Sequence, residues 1–162
     1  MGKEDFYTFS SYLKNDNGLI TASMEDYIEM IFRLSQVDNF TRVSDLSRAL
    51  NVQPASITKM IKRLDELNLV TYERYGYVKL TPTGKEYGSY LLKRHNTIQK
   101  FLEILGVKQT LLEETEKIEH VLNKETLEKI INFIDVVQKN PEIQEIIYKN
   151  IDWYMCNKNS KK

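Results

Sequence analysis

The feature that most constrains this chain lies in residues 43–81, where two apolar stripes of helical period, three residues apart, give way to a period of two. Val43, Leu46 and Leu50 line one face of a short helix that Ser44 can cap, and Asn51-Val52-Gln53 then makes a tight turn. Pro54 suits a first helical position, and Ile57, Met60, Ile61, Leu64 and Leu67 form the buried stripe of the helix that follows. Residues 70–74 and 77–81 are β-branched and aromatic, and Tyr75-Gly76 between them predicts a hairpin. Two short helices about a three-residue turn, followed by a hairpin, make a winged helix-turn-helix.

The second helix of such a pair needs a stripe to seat it. Its opposite face needs short polar side chains for base edges and long basic ones for phosphates or guanine. Gln53, Ala55, Ser56, Thr58, Lys59, Lys62 and Arg63 meet that description, and Arg74 and Tyr75 at the hairpin tip suit a phosphate or minor-groove contact. Charge agrees with this placement. The chain holds 23 basic and 23 acidic residues, but residues 41–100 hold 11 basic against 5 acidic, while 1–40 hold 3 against 7 and 101–162 hold 9 against 11. A basic excess confined to this segment favours double-stranded DNA as partner over the plainer reading, a winged helix whose polar face is merely solvated. The acidic flanks would repel a phosphate backbone unless something neutralised them.

Around this module the pattern is helical. Ser23 opens a capping pattern for a helix through about Ser35 with Tyr27, Ile28, Ile31, Phe32 and Leu34 recurring along it. Thr83 can cap a long helix to about Leu105, which Gly106 stops; three further helices are expected near 110–122, 124–138 with Asn123 as cap, and 141–155 with Asn140 as cap and Pro141 first. The expected fold is mainly α with a small β-hairpin wing. It comprises an arm over 1–22, the winged helix-turn-helix over 23–92, an all-helical domain over 93–156 and a tail over 157–162. Leu127, Ile130, Ile131, Ile134 and Val137 make an apolar face that could be core or subunit interface, and a two-fold regulator favours the interface. Cys156 has no partner, so neither a disulfide nor a thiolate metal site is expected. No apolar run approaches the roughly eighteen residues of a membrane span, and the first twenty residues lack a signal-peptide core, so a cytoplasmic location is expected.

The candidate chemistry lies in carboxylates and the two histidines. His95 falls on the apolar stripe of its helix, four after Leu91 and three before Ile98, where a lone histidine is more often a satisfied core residue than a ligand. Glu116, Glu119 and His120 share one side of another helix, and Glu119 borders the stripe of Leu111, Thr115, Ile118 and Leu122. An acid against a core edge needs a partner. Asp26 and Glu29 are three apart on the first helix, although an acid at Asp26 also suits the helix dipole. Taken together, four carboxylates and two imidazoles without thiolate are hard and borderline ligands that suit Mn2+ or Fe2+, with Zn2+ and Co2+ able to intrude.

Ser23-Met24-Glu25-Asp26-Tyr27-Ile28-Glu29, the helix-turn-helix from Val43 to Leu67, Lys93-Arg94-His95 and Ile118-Glu119-His120 together resemble the diphtheria-toxin-repressor family, and more closely its manganese-transport-regulator branch. The resemblance covers about residues 22–138. It implies a homodimeric, metal-activated repressor of metal-uptake genes, with an N-terminal winged helix and, over 93–156, an all-helical metal-binding and dimerisation domain; a two-fold repressor is expected to read a palindromic operator, and neither an organic substrate nor catalysis is expected. It further implies a two-metal cluster, two Mn2+ per chain, held by Asp26, Glu29, His95, Glu116, Glu119 and His120, with Glu29 and Glu119 as bridges. Asp26 stands where the iron branch has methionine and Glu116 where it has cysteine, and both are the harder choice. An iron-responsive repressor of the same family is the nearest alternative. A dinuclear carboxylate enzyme is the alternative of another class, but such sites pair two Glu-x-x-His motifs and this sequence has none. The six ligands carry four negative charges, which two divalent ions would cancel, tying the first helix to the helices that bear the histidines and removing a repulsion toward DNA.

Overall fold

The structure is a computed structural model that describes residues 20–159, with side chains described for 20–150. The expected arm lies outside the described residues except at its last three positions. Among the described residues there are seven helices and a three-stranded antiparallel sheet, grouped into two compact units that part between Leu92 and Lys93. None of these helices is long and apolar enough to cross a membrane.

In the first unit, α1 (Ala22–Leu34) is capped by Thr21, whose Oγ1 accepts the Met24 N–H at 3.3 Å, so Ser23 lies inside the helix rather than at its cap. The extended backbone of Thr21 points its hydroxyl at the first turn, a role that Ser23, already helical, cannot take. Strand β1 (Thr41–Arg42) leads straight into α2 (Val43–Leu50), so that Arg42 occupies the cap position without a side-chain bond and Ser44 again falls inside. Asn51 ends α2 in the left-handed region at φ 53°, and the turn is pinned by the Ser47 hydroxyl donating to the Val52 carbonyl at 2.6 Å. Helix α3 (Pro54–Glu66) follows with proline in its first turn, as the sequence predicts. β2 (Val70–Tyr72) and β3 (Tyr77–Leu80) pair in register Val70 with Leu80 and Tyr72 with Val78, and β1 adds to the other side of β3, Thr41 opposite Val78. The hairpin turns through a short 3-10 segment, Arg74–Gly76, in which Tyr75 and Gly76 both have positive φ, 65° and 78°.

Helix α4 (Pro82–Ile104) is capped one turn's start earlier than expected. Thr81, not Thr83, accepts the Gly84 N–H at 3.0 Å, while the Thr81 hydroxyl donates to the Asn68 carbonyl at 2.8 Å. Two glycines let this helix lie close to its neighbours. A Cβ on Gly84 would sit 1.9 Å from the Leu69 carbonyl oxygen, and one on Gly88 would sit 2.6 Å from the Phe32 Cβ of α1. Around these contacts Ile28, Ile31, Leu46, Ile57, Ile61, Leu64, Val78 and Leu91 are fully buried in one core. Each such side chain contributes about 1.5–3 kcal/mol on leaving water, which is what seats the helix pair on the sheet.

In the second unit, α4 ends at Ile104, and Gly106 just beyond takes φ 81° while Val107 N–H returns to the Leu102 carbonyl. Helix α5 (Leu111–Glu119) stops three residues short of the expected end, with His120 as its cap. Helix α6 (Lys124–Lys139) is capped by Asn123, whose Oδ1 accepts the Thr126 N–H at 2.8 Å, as expected. The last helix, α7 (Pro141–Asn159), runs four residues further than expected into the predicted tail. The Asn140 side chain turns back to donate to the Val136 carbonyl at 2.6 Å, so it closes α6 and leaves only its backbone carbonyl to start α7. The apolar face of α6 divides. Leu127, Ile130, Ile134 and Val137 are buried, the last three in a core with Ile104, while Phe133 and Val136, with Ile146 of α7, stay exposed.

Candidate nucleic-acid interface and metal centre

On α3 the division of labour follows the helical period. Ile57, Ile61 and Leu64 face the core with no exposed surface, and Gln53 at the cap with Ala55, Ser56, Lys59, Lys62 and Arg63 stay exposed. Thr58 is half-buried and its hydroxyl donates to the Pro54 carbonyl at 3.0 Å, so it is already engaged within its own helix. At the wing, Arg74 is exposed and Tyr75 keeps 92% of its surface. Tyr75 thus gains neither burial nor an unstrained backbone where it stands, at φ 65°. The sequence reading missed Arg42. Its strand is two residues long, too short for an alternating pattern, yet its guanidinium lies 4.9 Å from the Tyr77 ring centre and donates to the Tyr77 hydroxyl at 2.8 Å.

The candidate ligands on α4 and α5 converge within the second unit. His95 and Glu119 are both buried, and His95 Nδ1 lies 2.8 Å from Glu119 Oε2. Glu116 Oε1 is 3.9 Å from the same His95 nitrogen, and His120 Nε2 is 3.6 Å from Glu119 Oε1. One donor atom each from Glu116, Glu119 and His120 lie within 4.8 Å of one another. A divalent ion with bonds of about 2.1 Å holds its donors roughly 3 to 4.3 Å apart, so this group fits such an ion with small side-chain adjustments. The donor set is oxygen and imidazole nitrogen, with no sulfur. Glu119, 2% exposed, is the core-edge acid anticipated from its place beside the α5 stripe. On the solvent side of α5 the Lys117 ammonium, mainly by its hydrogen bond, holds the Glu113 carboxyl below its usual range, an ordinary exposed pair.

Asp26 and Glu29 sit together on α1 in the first unit, Asp26 half-buried and Glu29 buried. Burial, and after it the charge of Asp26, pushes the neighbouring Tyr27 phenol above its ordinary value. Glu29 Oε1 accepts from Arg33, from Nε at 2.9 Å and also from Nη2. Arg33 was not read from the sequence as part of this chemistry. Its signal was the spacing of four from Glu29, which any surface helix pair shares. A second guanidinium, buried Arg94, lies with Nη2 3.4 Å from His120 Nδ1.

Two family descriptions match successive parts of the chain. "Iron dependent repressor, N-terminal DNA binding domain" covers residues 19–78, and "Iron dependent repressor, metal binding and dimerisation domain" covers residues 81–148. Among relatives, the HTH-type transcriptional regulator MntR of Lysinibacillus sphaericus is 39% identical over 124 residues, 76% of this chain and 89% of that protein. Among solved structures, T. acidophilum IdeR has a TM-score of 0.61 at 28% identity, over 68% of this chain and 53% of that one. The manganese regulator SloR has a TM-score of 0.61 at 27% identity, over 69% of this chain and 53% of that one. The chain thus spans about half the length of these two solved proteins. The matches are to regulators, which sets aside the dinuclear enzyme weighed from the sequence. A winged helix with an exposed basic reading face, a buried acid–imidazole cluster and matches over both halves lead to one assignment: the chain belongs to the iron dependent repressor family and is a metal-dependent DNA-binding transcriptional regulator.

Proposed function

We propose that the protein is a manganese-responsive repressor of metal-uptake genes. On this reading Asp26, Glu29, His95, Glu116, Glu119 and His120 would hold two Mn2+ per chain, with Fe2+, Co2+ or Zn2+ able to substitute. The observation that carries it is the sulfur-free cluster of Glu116, Glu119 and His120 donor atoms, with buried His95 on Glu119. Oxygen donors and imidazole suit a hard cation, and a thiolate or thioether at Asp26 or Glu116 would shift the preference to softer ions.

Bound cations would supply positive charge among the four carboxylates, held by His95, Glu116, Glu119 and His120 in the second unit and by Asp26 and Glu29 on α1. Because α1 packs on both α2 and α3, a change in how its two acids are held reaches the reading helices through the first core. Gln53, Ala55 and Ser56 are short enough to read base edges, Lys59, Lys62 and Arg63 reach phosphates or guanine, and Arg74 and Tyr75 serve the adjoining groove. A homodimer presents two such heads to a palindromic operator. The test is calorimetry on chelator-stripped protein with Mn2+, Fe2+ and Zn2+ separately, followed by operator retardation under each ion. About two Mn2+ per chain that switch on DNA binding is the expected result; activation by Fe2+ alone would reassign the ion, and indifference to all three would return the six residues to a structural role.

A further inference from the structure

We propose that Arg33 is an internal counter-cation that holds Glu29 when no metal is bound and thereby sets the metal concentration at which this regulator loads. The proposal rests on the reading of Glu29 as a ligand. The Glu29 side chain keeps 10% of its surface and that of Arg33 keeps 37%. A carboxylate so far removed from water needs a positive partner, and a guanidinium stays charged at every physiological pH. Arg33 lies one helical turn on from Glu29, and both of its bonding N–H groups fall on a single oxygen, Oε1. A guanidinium spanning both oxygens of a carboxylate forms the stronger fork, so this single-oxygen contact is the more readily exchanged.

The consequence follows from charge. Arg33 stabilises the metal-free protein by neutralising a buried acid, and its positive charge opposes a divalent cation arriving at the same carboxylate. Both effects weaken metal binding, so Arg33 raises the loading threshold without being a ligand. It is a positioning and set-point residue, and its half-exposed place on α1 allows replacement without opening a cavity.

The test uses the full chain, stripped with chelator and titrated with Mn2+ by calorimetry, alongside thermal unfolding of the stripped protein. Arg33→Gln is expected to tighten Mn2+ binding roughly five- to tenfold and to lower the unfolding midpoint of the stripped protein, with Arg33→Lys falling between it and the parent. Placed on a Glu29→Gln background, the Arg33→Gln exchange is expected to tighten Mn2+ binding less than it does in the parent, because only the repulsion between the guanidinium and the cation is then left to remove. Unchanged Mn2+ affinity in Arg33→Gln, with Glu29→Gln weakened, would overturn the set-point role and leave the metal reading standing. Failure of the unaltered protein to bind Mn2+ would overturn both.

Discussion

The outer face of α3 and the cluster on α4 and α5 are both polar, and they are built in opposite ways. On α3 the proposed contact residues, half-buried Thr58 apart, are exposed singly over a core that does not depend on them. At the cluster, Glu119 and His95 are buried against each other, so that truncating either one takes a hydrogen bond from the other in a place where water does not replace it. The difference teaches where function and stability are separable. A reading face can lose one side chain and forfeit one contact, whereas a buried acid and imidazole stand or fall as a set.

The sharpest test of this contrast is Glu119→Gln. A neutral amide keeps the shape and a hydrogen bond to His95 but removes the charge, so Mn2+ affinity is expected to fall by at least roughly 100-fold in calorimetry with the dimer intact by sedimentation. Loss of the dimer instead would mean that the residue is structural. A smaller effect is expected at the reading face. Lys62→Ala should weaken operator binding by about 1 kcal/mol across all sequences and lower the slope of log affinity on log salt by roughly one, while the Mn2+ isotherm stays put. An isotherm that moved with Lys62 would break the independence of the two regions. The smallest effect, and one of opposite signs, is expected at the wing. Tyr75→Gly relieves a left-handed backbone and should leave stability unchanged or raise it by up to about 0.5 kcal/mol, while operator binding declines.

Much of this was legible in the sequence because period is a strong signal. The change from helical stripes to alternation after Leu69 marked the hairpin, and the single phase of Ile57, Ile61 and Leu64 marked which side of α3 faces inward. The errors were local. Ser23, Ser44 and Thr83 each stand two residues after the position that caps the helix, held by Thr21, Arg42 and Thr81, and composition alone does not say which nearby residue has the backbone a cap requires. Strand β1 escaped notice because two residues show no alternation. It exists because β3 offers an open edge. At the candidate site, the helical spacing of Glu116, Glu119 and His120 gave their shared side directly. The role proposed for Arg33 did not show, since a glutamate and an arginine four apart are as common on a wet surface as beside a buried acid.

Thr81 is a single side chain at which four pieces of the chain meet: the end of α3 through Asn68, the root of β2 through Leu69, the end of β3, and the start of α4 through Gly84. Mechanically this is a weld at the base of the DNA-reading head. A pull on α4 reaches the reading helix and the wing at the same point and at the same moment, so the two tools are swung as one piece and keep their grip spacing. The joint ties the reading helix and the wing to one point within the first unit.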